Sequence, residues 1–517
     1  MTINHNPDVL EALANLSNDE VFTPPKLANQ MLDLLPQEIW SDSSIKILDP
    51  ATKSGIFLRE AAKRFLKGLE KEIPDLQERI NHIMTKQLYG IGITELTGLL
   101  TRRSLYCSKL ADGNYSIATA FKHKEGNIRF ERTEHSWKGG SCEYCGASQS
   151  VYERDLSLES HAYAFIHREP TEIAALFGGD LQMKFDVIIG NPPYQLSDGG
   201  GSGSSAIPLY HLFIQQAKKL NPRYLSMIIP ARWFVGGKGL DDFRDEMIAD
   251  KQITVLHDFT DSKEVFNGVD IKGGVCYFLR SKEEQKPAQY HLHDQQGEKI
   301  SERYLDAGKA GIVVRYKECL DILEKVQKFG EISLSTIVSR RKPYGLASDF
   351  FKNPIKYNLP NSLFKSPVDN GITIFGLEGN KRSKRYVVKD YPINNLLKNT
   401  NLYKIFVGKA YGCGALGEVI PTPILATPME ICTETYLEIG GFTTEKEAKN
   451  ALSYLKTKFF RLLLGIRKTT QNTSQDTYQL VPLQDFSEPR TDEKLYQKYG
   501  LTDEEIQFIE TMVAPMD

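Results

Sequence analysis

Asn191-Pro192-Pro193-Tyr194 follows the apolar run Phe185-Asp186-Val187-Ile188-Ile189-Gly190 and brings together residue types suited to gripping a planar amino group. The lone pair of such a nitrogen is delocalised into its ring, which makes it a poor nucleophile. Two acceptors aimed at its two N–H bonds, the Asn191 side-chain oxygen and the Pro192 carbonyl, would favour a more tetrahedral nitrogen and turn the lone pair toward an electrophile. Prolines have a fixed φ and no N–H, so Pro192 and Pro193 hold these carbonyls rigidly without a competing donor. Tyr194 supplies a flat face for stacking. The preceding run reads as a central parallel strand, and open α/β sheets place ligands at the carboxyl ends of such strands. A strand end followed by a proline turn is the bland alternative.

The electrophile needs its own site. Lys46-Ile47-Leu48-Asp49-Pro50-Ala51-Thr52-Lys53-Ser54-Gly55-Ile56-Phe57-Leu58 reads as a strand, a small-residue turn and the start of a helix. It is neither a P-loop nor Gly-x-Gly-x-x-Gly. A carboxylate at the strand tip repels a pyrophosphate and attracts an ammonium group, so Asp49 points to a cofactor with an amino-acid end. S-adenosylmethionine has that end together with an activated methyl. An ordinary βα turn fits the same letters.

The elements that must position these residues alternate in an α/β pattern. Strands are expected near 45–49, 88–93, 185–190, 225–230, 253–258 and 273–279, with amphipathic helices such as 210–217 between them. A chain of 517 residues suggests two or three domains. With 41% hydrophobic residues and no apolar run of ~18 residues, the expectation is a soluble, cytoplasmic protein without a membrane span. The amino-terminal residues form no signal pattern, so the seven cysteines are expected as thiols or metal ligands.

Net charge is −2, so any nucleic-acid footprint must be local. Candidate clusters are Arg340-Arg341-Lys342, Lys381-Arg382-Ser383-Lys384-Arg385 and Arg467-Lys468-Thr469-Thr470-Gln471-Asn472, interleaved with Tyr344, Tyr386, Phe459 and Phe460. Each alone also fits a solvated face. An insertion is expected at about 107–168, because the stretch before Phe185 exceeds what a crossover requires. Within it, Cys142-Glu143-Tyr144-Cys145-Gly146 looks like a zinc knuckle. His135, Cys142, Cys145 and His161 are the expected ligands of a structural zinc, with Cys107 as an alternative to His161. Two unpaired loop thiols remain the plain reading. The run 197–205, rich in Gly and Ser, reads as a flexible loop able to order over a bound substrate as a lid.

At this point the chain resembles the DNA adenine-N6 methyltransferases of restriction-modification systems, in the gamma ordering where the cofactor motif precedes the catalytic one. Val21-Phe22-Thr23-Pro24-Pro25 looks like the amino-terminal cofactor motif, Asp49 to Phe57 like the glycine-loop motif, and Asn191 to Tyr194 like the catalytic motif. Leu225 to Trp233 is similar to the next core strand. Val265-Phe266-Asn267-Gly268-Val269, with Gly273 to Phe278, resembles the hairpin whose aromatic sandwiches an extruded base. The resemblance covers roughly residues 20 to 280.

It implies a doubly wound Rossmann-like methyltransferase core (21–282) behind an arm (1–20), with the inserted segment and a carboxyl-terminal α+β DNA-recognition domain (300–517). It implies transfer of a methyl from S-adenosylmethionine to adenine N6 in double-stranded DNA, the base being flipped out. Asn191, Pro192, Pro193 and Tyr194 would be catalytic. Phe22, Thr23, Asp49, Pro50, Ala51, Ser54, Gly55, Glu95 and Asp180 would bind cofactor, and Phe266 with Tyr194 the base. A separately encoded restriction endonuclease is an expected partner, and no membrane is. Two positions depart from the pattern: Lys53 stands where the family has the first loop glycine, and Gly92 where it has the ribose-binding acid. A methyltransferase acting on RNA adenine or a protein glutamine amide, or a DNA-recognition subunit inactive without a partner, stay open as alternatives.

Overall fold

The computed structural model describes residues 21–152, 162–178, 183–196, 207–379, 381–393 and 398–516. The expected arm (1–20) and the glycine-serine loop (197–205) lie outside the described residues, as do His161 and Asp180. The chain divides into two compact units, Met1–Asp306 and Ala307–Asp517. No helix among the described residues is long and apolar enough to cross a membrane.

The first unit is built on one nine-stranded sheet. Its strands in chain order are β1 (Ile47–Thr52), β2 (Leu88–Gly92), β3 (Ile128–Arg129), β4 (Val187–Gly190), β5 (Tyr224–Pro230), β6 (Ile253–Phe259), β7 (Val275–Ser281), β8 (Ala288–Asp294) and β9 (Gly297–Arg303). They lie in the order β9-β8-β6-β7-β5-β4-β1-β2-β3. The pairings from β3 through β2, β1 and β4 to β5 are parallel, whereas β7 runs antiparallel to both its neighbours. Strand order therefore reverses between β1 and β4, the crevice where doubly wound sheets bind ligands. Val187, Ile188 and Ile189 are fully buried, as a strand covered on both faces requires.

Two sequence expectations are corrected here. The core expected to end at 282 continues further, because residues 283–299 contribute β8 and the first three residues of β9 to the sheet. Ala288, Tyr290 and Leu292 are buried while the residues between them are not, a period-two pattern disguised by histidines and glutamine. The expected insertion also contains a strand of the core, because β3 pairs with β2. Outside the nine-stranded sheet the insertion forms a hairpin of Trp137–Lys138 and Ser141–Cys142.

Among the described residues the second unit holds two three-stranded sheets and five α-helices, Lys317–Gln327, Glu445–Lys456, Lys458–Arg467, Asp492–Tyr499 and Asp503–Met512. The helices Glu445–Lys456 and Lys458–Arg467 meet at Thr457, whose backbone is extended and whose side-chain Oγ1 caps the second by accepting from Phe460 N–H. Tyr344, Phe459 and Phe460 are core residues, at 1%, 0% and 0% exposure. These three aromatics, which the sequence interleaves with the basic clusters, thus belong to the interior of the unit.

Candidate active site

The tips of β1 and β4 carry the predicted chemistry, and the register places them side by side, Ile47 opposite Val187 and Leu48 opposite Ile188. At the β4 tip Asn191 is 3% exposed. Its Nδ2 donates to the Val21 carbonyl at 3.0 Å and to Thr23 Oγ1 at 3.1 Å. The amide is thereby oriented, since the donor end is satisfied by the amino-terminal motif. Its Oδ1 is buried with no hydrogen-bond partner, an arrangement that native interiors avoid unless a partner is to be supplied. Pro192 and Pro193 are buried beside it.

Tyr194 anchors the end of this turn, its carbonyl accepting from Leu209 N–H at 3.0 Å. Its hydroxyl is also buried and lacks a hydrogen-bond partner. Burial pushes the phenol pKa well above its ordinary value, and Cys276 on β7 adds to the rise. The neighbouring Asn191 lowers it, although the two side chains do not meet the geometry of a hydrogen bond. Phe266 is 2% exposed, packed in the same apolar cluster as Val21, Phe259, Val275 and Tyr277. Tyr194 packs against that cluster. The turn bearing Phe266 is tied down by Ser262 Oγ, which donates to the Val269 carbonyl and accepts from Ile271 N–H, both at 2.8 Å.

At the β1 tip every residue from Asp49 to Phe57 is buried. Asp49 Oδ1 accepts from Ala51 N–H at 3.1 Å. Burial pushes its pKa up to about 7, against the opposing pull of the Ala51 N–H, Lys53 and Thr52. A Cβ on Gly190 would lie 2.9 Å from Asp49 Oδ1, so the carboxylate and strand β4 approach closely only because that residue is glycine. Gly55 has φ 75° and caps the helix Ile56–Gly68 without a side chain. The Thr101 side chain lies where its Cβ would be.

Both departures from the family pattern have a physical reading. Lys53 does not adopt positive φ. Its side chain turns inward, is 7% exposed, and donates to the Val21 carbonyl at 2.9 Å. At Gly92 a Cβ would sit 2.9 Å from Gly98 N, 3.0 Å from Gly98 Cα and 3.0 Å from the Thr94 carbonyl. The helix Glu95–Tyr106, fixed by a reciprocal Thr94–Thr97 capping box, thus packs where an acid would have to stand. Glu95 is exposed in its first turn.

Thr23 and Phe22 belong to the segment that leads into the helix Pro25–Asp33, Thr23 buried at 4% and Phe22 partly exposed. The sequence did not reveal that the Val21 carbonyl is the shared anchor of Lys53 and Asn191. A main-chain acceptor leaves no mark in residue type. At the hairpin Trp137–Lys138/Ser141–Cys142 the structure groups His135, Cys142, Cys145 and His167. His161 lies outside the described residues, and Cys107 is exposed at the end of its helix.

A family model described as Eco57I restriction-modification methylase matches residues 86–266. Over 292 residues the chain is 42% identical to a protein of Mycoplasma pneumoniae (strain ATCC 29342 / M129 / Subtype 1) described as an uncharacterized adenine-specific methylase; the match covers 53% of this chain and 69% of that protein. The chain belongs to the adenine-specific methylase family. Among solved structures, this methylase is similar to the DrdV–DNA complex (11% identity, TM-score 0.48, 91% of this chain and 56% of that one). It is also similar to a nuclease-deletion mutant of the Type ISP restriction-modification enzyme LlaGI with a DNA substrate mimic (10% identity, TM-score 0.48, 92% and 54%). The methylase thus spans about half the length of these solved chains.

Proposed function

We propose that the chain transfers a methyl group from S-adenosylmethionine to the N6 of adenine in double-stranded DNA, at a specific site, as the modification enzyme of a restriction-modification system. The observation that carries this reading is Asn191 Oδ1, a buried acceptor held without a partner beside the reversal of the sheet.

The residues present fit the cofactor. Asp49 would receive its ammonium group, the uncapped start of the helix Ile56–Gly68 its carboxylate, and Phe22, Thr23, Pro50, Ala51, Ser54 and Gly55 would wall it. Asp180 is the candidate for its adenine and Glu95 for its ribose. When bound, the cofactor supplies an electrophilic methyl. Asn191 Oδ1 and the Pro192 carbonyl would then accept from the two N–H bonds of the flipped base. Thr23 and Val21 keep the Asn191 amide from rotating, so its oxygen stays aimed at the amine. Tyr194 and Phe266 would hold the ring, for which Phe266 must leave its buried position. Catalysis on this scheme is orientation and polarisation with no covalent nucleophile.

The second unit would recognise DNA. Arg340, Lys381, Arg382 and Lys384 are exposed there and suited to phosphate contacts. Arg385 and Lys468 are buried, ion-paired to Glu378 and Glu418 respectively, so they belong to the fold of the unit. Cleavage of unmodified DNA is assigned to a separately encoded endonuclease.

The test is labelled methyl transfer to unmodified genomic DNA, with nucleoside mass spectrometry. N6-methyladenine in one sequence context is the expected product. Asn191→Ala should lower turnover by about 10²-fold or more while calorimetry finds cofactor affinity within about threefold of wild type. An Asn191→Ala enzyme with normal turnover would refute the assignment, and label in RNA or protein alone would move the substrate.

A further inference from the structure

Away from the sheet's crevice, four buried side chains converge with no role in methyl transfer. His135 and His167 are 8% and 7% exposed, Cys142 and Cys145 4% and 5%. One ligand atom from each lies within 4.8 Å of all the others. His135 Nδ1 and Cys145 Sγ are 3.4 Å apart, close to the edge of a zinc tetrahedron, about 3.3–3.8 Å for bonds of ~2.0–2.3 Å.

The backbone is shaped for the same purpose. The hairpin Trp137–Lys138/Ser141–Cys142 presents Cys142, and Gly146 N–H donates to the Cys142 carbonyl at 2.9 Å. Gly146 has φ 70°, which lets the chain fold back so that both sulfurs face one point. His167 Nδ1 donates to the Tyr163 carbonyl at 2.9 Å, which leaves Nε2 as the lone-pair nitrogen. That atom is buried and without a hydrogen-bond partner. A main-chain carbonyl fixing one imidazole nitrogen so that the other can ligate is the usual outer support of a metal-bound histidine. The other such grouping among the described residues, His257, His293 and Glu298, is more exposed. Its imidazoles bond each other, His257 Nδ1 to His293 Nε2 at 3.0 Å.

We infer that His135, Cys142, Cys145 and His167 bind one zinc ion as a closed structural site, with His167 in the place that the sequence gave to His161. Four protein ligands leave no position for a substrate. The site's effect is mechanical. It ties the hairpin to residues 163–167, and the Arg168 carbonyl accepts from Gln216 Nε2 at 2.7 Å. Phe165 stacks on Phe213 with ring centroids 5.8 Å apart. Gln216 and Phe213 belong to the helix Tyr210–Lys219, which follows directly on the Leu209–Tyr194 hydrogen bond. Zinc thereby braces the helix that abuts the catalytic turn.

The experiment is metal analysis of the full chain after dialysis against a weak chelator, with cobalt(II) exchange. About one zinc per chain is expected, and the cobalt form should show tetrahedral d–d bands with thiolate charge transfer. His161→Ala should keep the metal and His167→Ala should lose it. His167→Cys should retain it with stronger charge transfer, a gain that a misfolded chain cannot give. A wild-type chain that carries no zinc and yields no thiolate–cobalt bands overturns the site. Loss of metal from His161→Ala with retention in His167→Ala overturns the ligand assignment.

Discussion

Lys53 and Asn191 donate to the same atom, the Val21 carbonyl, at 2.9 and 3.0 Å. A lysine standing where the family has a glycine therefore fastens the amino-terminal motif to the asparagine proposed as catalytic. Replacing it by Met keeps the volume and removes the buried charged donor. Such a loss costs about 1.5–3 kcal/mol, so Lys53→Met should melt several degrees lower. Turnover should fall about tenfold as the Asn191 amide loosens. Lys53→Gly, which restores the family residue, should do no better. Thermal melts with steady-state kinetics check both, and a Lys53→Gly enzyme matching wild type in both would make the lysine a passive replacement.

Asp49 sets a pH dependence whose sign follows from its burial. Its pKa is raised from 3.8 to about 7, so below that value the folded chain holds it neutral and it cannot attract an ammonium group. The same raised pKa means that stability without cofactor declines as pH climbs from 3.8 through 7. Affinity for S-adenosylmethionine should accordingly rise about fivefold from pH 6 to pH 7, with proton release on binding. Calorimetry in buffers of different ionisation enthalpy measures both. Asp49→Asn should bind weakly, with a flat profile; a wild-type affinity flat over that range would remove Asp49 from the ammonium site.

How much of this was legible in the sequence divides along physical lines. Strands β4 to β7 were readable because a strand buried on both faces is a continuous apolar run. The place of the Asn191 to Tyr194 turn, at the tip of β4, was readable because two prolines end the apolar run. Strand β8 was missed, since His291, His293 and Gln289 hide its alternation. Lys53 read as a defect, because sequence shows the missing glycine but not the carbonyl the side chain reaches. His161 and His167 are equally eligible by sequence; what favours His167 is its burial and its orphaned Nε2, while His161 lies outside the described residues.

Charge in the second unit separates into two kinds, and salt dependence should tell them apart. Lys381 and Lys384 are exposed on the strand Lys381–Val387, with Lys384 Nζ 4.3 Å from the Phe375 ring centroid. The double variant Lys381→Ala/Lys384→Ala should weaken binding to all DNA sequences alike and reduce the slope of log K against log salt by about 2. Its thermal stability should be within about 0.5 kcal/mol of wild type. Lys468, 3% exposed against Glu418, should behave in the opposite way. Lys468→Met should cost about 1.5–3 kcal/mol, because the partly buried Glu418 loses its cation and keeps the Cys413, Gly414 and Ala415 N–H donors. Equal salt slopes for wild type and the double variant would place the DNA contact elsewhere.

Gly92 supplies the sharpest test of how far the family pattern can be imposed on this chain. By that pattern an acid at this position, the last residue of β2, should grip the cofactor's ribose, so Gly92→Asp looks like a repair. The structure argues the reverse. The new Cβ would meet Gly98 N at 2.9 Å, Gly98 Cα at 3.0 Å and the Thr94 carbonyl at 3.0 Å, all main-chain atoms of a capped helix start that cannot swing aside like a flexible side chain. Relief requires the helix Glu95–Tyr106 to move off β2, an overpacking cost of about 1–3 kcal/mol. Gly92→Asp should therefore melt lower and bind S-adenosylmethionine no more tightly than wild type. Gly92→Ala should share the stability loss without adding a charge, which separates the steric effect from the electrostatic one. Calorimetry showing tighter cofactor binding by Gly92→Asp at unchanged stability would mean that the helix yields, and that the ribose site is vacant only for want of its acid.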